Sequence, residues 1–202
     1  HSPFRGVVNF LKIFKRLRQT PAPCRTMSES MIDKPMDRRG RHMDKARFTA
    51  AARRYQNMVY RTALHALGSP QDADDAVQEV FLRLFRCGEA FDGEEHLRRW
   101  LLRVTVNCCR DALKSPWRKR RVSWEEVPEI PVFDRPEQAA LYQEVMALPE
   151  KYRTALYLFY YEELSVREIG ELLGVGDSTV TTRLARARKR LKERLGEDWQ
   201  DE

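Results

Sequence analysis

The sequence predicts an all-α protein of two small helical domains joined by a flexible linker. Apolar residues recur at helical spacing across residues 44–114 and again across residues 137–195. Glycine, serine and proline interrupt these stretches at the points where helices are expected to begin or end. Residues 115–136 contain four prolines and no apolar period, which is typical of a linker.

The charges of the chain are unevenly distributed. Residues 1–42 carry the whole formal net charge of +7, because residues 43–202 hold 27 basic and 27 acidic side chains. Within that neutral part, residues 98–121 contain nine basic side chains against one acidic one, and residues 179–195 contain seven against one. Two segregated basic patches indicate contact with a polyanion, whereas the bulk charge does not.

The composition argues against several classes of function. No apolar run approaches the ~20 residues that a membrane-spanning helix needs. The four cysteines show no CxxC spacing, which favours buried free thiols in a reducing, cytoplasmic compartment over structural zinc. The four histidines are scattered without the spacing of a metal site or a catalytic triad. We therefore expect no enzyme activity, cofactor, metal, small-molecule substrate or stable membrane insertion.

Residues 1–43 differ from the rest of the chain. Residues 1–19 are basic and amphipathic, and residues 20–42 combine proline, serine and charges without any period. A membrane-surface or targeting helix is one interpretation of the first part. We favour a disordered or non-core basic extension, because several methionines precede the first strong helical pattern.

The first domain is predicted to contain three helices. The first runs from Asp44 to a stop at Gly68, and the second covers residues 72–86, with acidic side chains in the first turn where the helix dipole favours them. The third runs from Glu94 to about Lys114. Its predicted buried residues are Leu97, Leu101, Val104 and Cys108.

The second domain is predicted to contain four helices. Pro136 opens the first and Pro149 begins the second. The apolar residues predicted for the first are Ala140, Leu141, Val145 and Leu148. Ser165 and Glu168 have the spacing of a capping box at the start of the third helix.

A tight glycine turn at residues 174–176 separates the third helix from the last one, which Asp177 or Ser178 can cap. The apolar face of the last helix contains Val180, Leu184, Ala187, Leu191 and Leu195. Its other face carries Thr179, Thr182, Arg183 and Arg186. Short polar side chains followed by arginines suit a helix whose N-terminus enters a DNA major groove. An ordinary helical hairpin with a solvated basic face would show the same pattern.

Three stretches in chain order resemble the sigma-70 family of RNA polymerase initiation factors, specifically its small extracytoplasmic-function (ECF) type. The stretch DADDAVQEVFLRLF resembles the polymerase-binding helix of region 2. The promoter-melting and −10-reading segment is similar to FDGEEHLRRWLLRVTVNCCRDALK. Region 4 is similar to LPEKYRTALYLFYYEELSVREIGELLGVGDSTVTTRLARARKRL.

The resemblance implies a division of the chain into sigma regions and a set of partners. It assigns residues 44–114 to region 2 and residues 137–195 to region 4, with the linker at 115–136, and leaves the extension at 1–43 and an acidic tail at 196–202. The implied partners are the β and β′ subunits of the bacterial RNA polymerase core, promoter DNA and an anti-sigma protein.

The resemblance also implies three groups of functional residues. The group that binds polymerase is Asp75, Gln78, Glu79 and Arg83. The group that reads and melts the −10 element is Phe91, Arg99, Trp100, Arg103, Asn107 and Arg110. The group that reads the −35 element is Ser178, Thr179, Thr181, Thr182, Arg183 and Arg186.

Promoter opening gives a physical reason for the second group. Unstacked bases need aromatic platforms beside basic side chains. Phe91 lies in a loop beside glycine and is a better stacking candidate than Trp100, which could equally belong to the core. Asn107 carries one carbonyl and one amide, so it can read a base edge.

Two alternative functions explain less of the sequence. A repressor or activator that uses only the C-terminal helix-turn-helix leaves the helix at 72–86 and the first basic patch without a role. A phosphate loop or nucleophile at GVGDST would need a preceding strand and a GK[ST] ending, and the sequence has neither.

Overall fold

The computed structural model describes residues 43–87, 91–114 and 136–195. Over these ranges the chain forms seven helices and no strand, which confirms the predicted all-α class. The helices form two compact units, one on each side of the predicted linker. The predicted extension, linker and acidic tail lie outside the described residues, apart from Met43 and Pro136.

The first unit contains α1 (Lys45–Leu67), α2 (Pro70–Arg86) and α3 (Glu94–Lys114), and each of these helices packs against the other two. The local signals at the two ends of α1 act as predicted. Asp44 caps α1 by accepting a hydrogen bond from the Arg47 backbone N–H at 3.2 Å. Gly68 ends α1 in the left-handed conformation, with φ of 75°. Ser69 then caps α2, which begins at Pro70, two residues before the predicted start at residue 72.

Aromatic and aliphatic side chains form the core of the first unit. Phe48 of α1 packs edge-to-face on Phe81 and Phe85 of α2, with ring centroids 6.3 and 5.2 Å apart. The Met43 backbone N–H also donates to the Phe85 carbonyl at 3.3 Å, so the folded unit includes Met43. The largest fully buried side chains here are Val59, Val80, Phe81, Leu84, Leu101 and Leu102.

The buried face of α3 differs from the predicted one. Leu101 and Cys108 are buried as expected, but Leu97 and Val104 are only half-buried. The remaining buried residues are Leu102, Thr105, Val106 and Cys109. The buried face of α3 is therefore wider than the predicted apolar face and is centred on a different side of the helix. The reason is that α3 packs against both α1 and α2.

The second unit contains α4 (Pro136–Met146), α5 (Glu150–Tyr160), α6 (Val166–Leu173) and α7 (Asp177–Leu195). The last helix, α7, packs against all three others. In α4 the predicted Leu141 and Val145 are buried, but Ala140 is exposed because α4 packs mainly on α7 and only one side of it is covered. The buried Arg153 of α5 donates to the carbonyl oxygen of Met146 at 2.6 Å, which joins α5 to the end of α4.

A buried polar pair fixes the turn between α5 and α6. The Tyr157 hydroxyl lies 2.7 Å from the Glu162 carboxylate, and both side chains are buried. The Tyr161 ring stacks on Tyr157 with centroids 5.0 Å apart. A buried carboxylate is costly unless it is hydrogen-bonded, so this contact favours one geometry of the turn that leads into α6.

The predicted capping box at the start of α6 is present. The Ser165 hydroxyl accepts from the Glu168 backbone N–H at 3.3 Å, and Glu168 accepts from the Ser165 backbone N–H at 2.9 Å. Gly174 ends the helix in the left-handed conformation, with φ of 64°. Gly170 allows the next turn to approach closely, because a Cβ there would lie 2.8 Å from the carbonyl oxygen of Val175.

The start of α7 differs from the prediction. The helix begins at Asp177, and the backbone N–H groups of Thr179 and Val180 donate to the Gly176 carbonyl at 2.9 and 3.2 Å. Asp177 and Ser178 therefore lie inside the first turn instead of capping it. Four residues of the predicted apolar face, Val180, Leu184, Ala187 and Leu191, are buried, but Leu195 at the end of the helix is only half-buried.

The described residues contain neither a membrane-spanning helix nor a cluster of metal ligands. No helix in this part of the chain combines the length and the hydropathy needed to span a membrane. No group of three or more histidine, cysteine and acidic side chains in the same ranges is arranged to hold a metal ion.

Candidate functional site

One face of α2 presents the polar residues that were predicted to bind a protein partner. Asp75, Gln78, Glu79 and Arg83 are all exposed, and their spacing puts them on the same side of the helix. Arg83 Nε lies 2.7 Å from Glu79 Oε1, and this hydrogen bond raises the pKa of the Arg83 guanidinium. Leu82 is half-buried on the same side of the helix, between these polar residues.

A polar row runs along the solvent-facing side of α3. Arg99, Arg103 and Asn107 are exposed and four residues apart, so their side chains line one face of the helix. Arg110 lies on the same side and is half-buried. Arg99 Nε pairs with Glu95 Oε1 at 3.0 Å. The structure therefore brings together four of the residues that were predicted to contact the −10 element.

Aromatic rings cluster at the N-terminal end of this row. Phe91 and Trp100 are both half-buried and pack edge-to-face with centroids 5.5 Å apart. His96 makes a similar contact with Phe91 at 5.6 Å. His96 was not among the predicted site residues, because a single histidine without the spacing of a metal site or a triad predicts no function.

The cysteines of this unit fit the prediction of buried free thiols. Cys108 and Cys109 are buried, Cys87 is half-buried, and none of the three forms a disulfide. Burial raises the pKa of the Cys108 thiol, and the positive charge of Arg83 opposes that shift. At neutral pH Cys108 is therefore a protonated and poorly nucleophilic core residue.

The first turns of α7 expose the short polar side chains that were predicted to enter a DNA groove. Ser178, Thr179, Thr181 and Thr182 are all exposed, and Arg183 is half-buried beside them. The Thr182 hydroxyl donates to the Ser178 carbonyl at 2.8 Å, as the Thr181 hydroxyl does to Asp177 at 3.0 Å. These bonds leave the lone pairs of both hydroxyl oxygens available as acceptors.

Arg186 is exposed like the threonines, but a contact with another helix holds it in place. Its guanidinium lies beside the Tyr152 phenol of α5 and lowers the pKa of that phenol. Arg190 and Lys151 lie over the same ring, with Arg190 Cζ 5.4 Å and Lys151 Nζ 5.2 Å from its centroid. Tyr152 was not among the predicted site residues, because nothing in the local sequence pattern connects α5 with α7.

The C-terminal half of α7 is also basic. Lys189 pairs with Glu193 at 3.8 Å, and Arg194 pairs with Glu144 of α4 at 3.0 Å. Arg188 donates to the Tyr160 hydroxyl at 3.3 Å, and Lys192 is exposed. This half of the helix therefore offers positive charge, while the first turns offer hydrogen-bonding groups.

Comparisons with known proteins agree with these two units. The family model for Sigma-70 region 2 matches residues 51–119, and that for Sigma-70 region 4 matches residues 138–191. The ECF RNA polymerase sigma factor SigW of Bacillus subtilis is 31% identical over 158 residues, which cover 70% of this chain and 84% of SigW. The chain belongs to the ECF sigma factors. The ECF RNA polymerase sigma-E factor of Haemophilus influenzae is 30% identical and is covered over 98% of its length.

Solved structures support the fold of this sigma factor. The sigma factor RpoE of Bartonella quintana, in complex with the anti-sigma factor NepR, aligns with a TM-score of 0.58 at 17% identity and is covered over 96% of its length. CnrH, in complex with the cytosolic domain of CnrY, aligns with a TM-score of 0.52 at 23% identity, over 75% of this chain and 89% of the CnrH chain. At these identities the likeness concerns the fold.

Family membership confirms the function that the resemblance implied. The protein is an RNA polymerase sigma factor, and it directs transcription initiation at specific promoters. Sigma factors are DNA-binding regulatory proteins rather than classical enzymes.

Proposed function

We propose that the exposed faces of three different helices carry out the separate steps of initiation by this sigma factor. The polar face of α2 binds the RNA polymerase core. The row on α3, together with Phe91, contacts the −10 element and holds it open, and the first turns of α7 read the −35 element. A factor that holds two promoter elements at once needs two DNA-binding modules on one chain, and each unit of this chain carries one exposed polar and basic face.

The α3 row is the strongest support for the −10 assignment. Arg99 and Arg103 supply positive charge for phosphates, and Asn107 supplies a donor and an acceptor for a base edge. Phe91 and Trp100 lie at the end of the row with partly exposed rings, on which an unpaired base can stack.

Run-off transcription tests the proposal. The full-length chain and its native core polymerase are incubated with a promoter library, and the promoters that support transcription are recovered. Arg103→Ala and Asn107→Ala should keep core binding but lose permanganate reactivity of the −10 thymines, because melting fails. Arg53→Ala, at an exposed arginine of α1, is the matched control and should behave like the unchanged protein. Normal melting in both α3 variants would contradict the assignment.

We further propose that an anti-sigma protein regulates this chain, and that the protein acts in the cytoplasm. The partner class is suggested by the solved complex of RpoE with an anti-sigma factor. Half-buried apolar side chains such as Leu97 and Val104 of α3 would offer such a partner contact area beside the α3 row. A protein that is captured by the full chain and also blocks run-off transcription would support regulation of this type, and capture without inhibition would not.

A further inference from the structure

The loop end before α3 is tied to the first turn of that helix by a histidine. The backbone N–H of Asp92 donates to Nδ1 of His96 at 3.2 Å. Gly93 has φ of 86° and donates its own N–H to the Phe91 carbonyl at 2.9 Å, so the chain turns sharply just before the helix. His96 thus occupies the role that Glu168 has in α6, where a first-turn side chain accepts from the backbone that precedes the helix.

This bond defines the state of the histidine ring. A backbone N–H can only donate, so Nδ1 must present its lone pair. The neutral ring then carries its proton on Nε2.

The same ring touches the aromatic residue that we assign to promoter opening. His96 packs edge-to-face on Phe91 at 5.6 Å, and Phe91 packs on Trp100 at 5.5 Å. Phe91 is therefore held from two sides, and one of them is fixed by a backbone hydrogen bond.

The helix that carries His96 is itself firmly anchored. Arg54 of α1 donates to the Glu94 carboxylate at 2.7 Å, and the Tyr55 hydroxyl lies 3.4 Å from the Glu94 carbonyl oxygen. The first turn of α3 is thus attached to α1. A loop tied to His96 is tied to the core of the unit.

From this geometry we propose that His96 is a positioning residue for Phe91 in promoter melting. Its acceptor nitrogen holds the Phe91–Gly93 turn, and its ring orients the Phe91 side chain before DNA arrives. A stacking platform that is ordered in advance loses less conformational freedom when it takes up an unpaired base. This inference rests on the proposed role of Phe91 at the −10 element.

The test uses the full-length chain bound to core polymerase and a promoter recovered by the run-off selection. His96→Leu removes the acceptor and the ring. His96→Gln keeps an acceptor of the kind found in capping boxes. Melting is followed by fluorescence of 2-aminopurine placed in the −10 element, and core affinity and thermal unfolding are measured beside it. We expect His96→Leu, which loses both the acceptor and the ring, to reduce the melting equilibrium about fivefold or more. His96→Gln keeps the acceptor and loses only the ring contact with Phe91, so we expect a reduction of about twofold.

Phe91→Ala separates failure of this inference from failure of the proposed function. Melting that is lost in Phe91→Ala but normal in His96→Leu would overturn the role of His96 alone. Normal melting in Phe91→Ala would overturn the assignment of Phe91 and the inference with it. Equal losses in His96→Leu and His96→Gln would show that the acceptor does not matter. A fall in thermal stability and core affinity that matches the fall in melting would reduce His96 to a purely structural residue.

Discussion

The guanidinium of Arg186 on α7 lies beside the Tyr152 phenol of α5 and lowers the pKa of that phenol. Tyr152 is 6% exposed, so its ring belongs to the core while its hydroxyl faces Arg186. The Arg186 guanidinium therefore lies between the Tyr152 hydroxyl and the side of α7 that we propose faces DNA. An arginine that is oriented before binding can form a bidentate contact with guanine at a lower entropic cost.

Tyr152→Phe should therefore weaken discrimination between promoters. The ring and its packing remain, so the fold should survive, but Arg186 loses its tether. Arg186→Ala should cost about 1–3 kcal/mol on the matched −35 duplex and little on a scrambled one. Tyr152→Phe should reduce the difference in binding free energy between the matched and the scrambled duplex by about 1 kcal/mol. Fluorescence anisotropy of the holoenzyme on both duplexes measures the two effects.

The double variant and a matched tyrosine provide the controls. Tyr152→Phe should have little further effect once Arg186 is alanine, because the two residues act as one unit. Tyr160→Phe removes the hydroxyl that accepts from Arg188 and should leave the discrimination ratio unchanged. If Arg183→Ala and Arg186→Ala weaken binding to the matched and the scrambled duplex equally, this side of α7 contacts only phosphates, and the −35 sequence is read by other residues.

The lysines near the end of α7 should contribute affinity without specificity. Lys189 and Lys192 are exposed in the half of the helix that should be leaving the groove, where only phosphates are within reach. Replacing either lysine with alanine should lower the affinity for the matched and the scrambled duplex by the same factor. The slope of log affinity against log salt should also fall by about one per lysine. A variant that lost affinity for the matched duplex alone would be inconsistent with phosphate contact.

The α2 face should be required for core binding but not for folding. Gln78 and Glu79 are exposed, and Val77 on the opposite side is 2% exposed. The double change Gln78→Ala with Glu79→Ala should weaken pull-down of core polymerase and leave the helical circular dichroism unchanged. Val77→Asp buries an unpaired charge and should unfold the unit. Unchanged core affinity in the double variant would show that another surface binds the polymerase.

Gly170 should tolerate no side chain. An alanine Cβ there would lie 2.8 Å from the Val175 carbonyl oxygen and 3.1 Å from Asp177 Oδ1, so the turn would have to shift. We expect Gly170→Ala to lower the free energy of unfolding by about 1–3 kcal/mol in thermal denaturation. Gly176→Ala is the matched control, since its nearest neighbour would be Ser178 Oγ at 4.0 Å. Equal melting temperatures for the two variants would mean that the turn relaxes without cost.

The features that the sequence predicted well are those set by neighbouring residues. Asp44, Gly68, Ser165 and Gly174 mark helix ends through bonds to residues within one turn. The starts of α2 and α7 are local features that nevertheless differ from the prediction. The other features that it missed depend on contacts between elements. The buried sector of α3 is decided by two packing partners, so Leu97 is half-buried although it fits the apolar period.

The candidate site divides in the same way. The exposed faces of α2, α3 and α7 follow from helical spacing, and their residues lie together as predicted. The contacts that orient the side chains do not follow from it. Tyr152 meets Arg186 only because α5 packs on α7, and His96 gains its role from a backbone N–H that no residue pattern records.

The helix-turn-helix keeps its structural residues apart from its exposed ones. Gly170, Gly174 and the Ser165–Glu168 box set the turn, whereas the threonines of the first turns of α7 contribute nothing to the buried core. A library randomised at Ser178, Thr179, Thr181 and Thr182 should therefore contain mostly folded proteins. Selection from such a library would act on promoter choice rather than on foldability, which makes this unit a practical starting point for sigma factors that serve synthetic promoters.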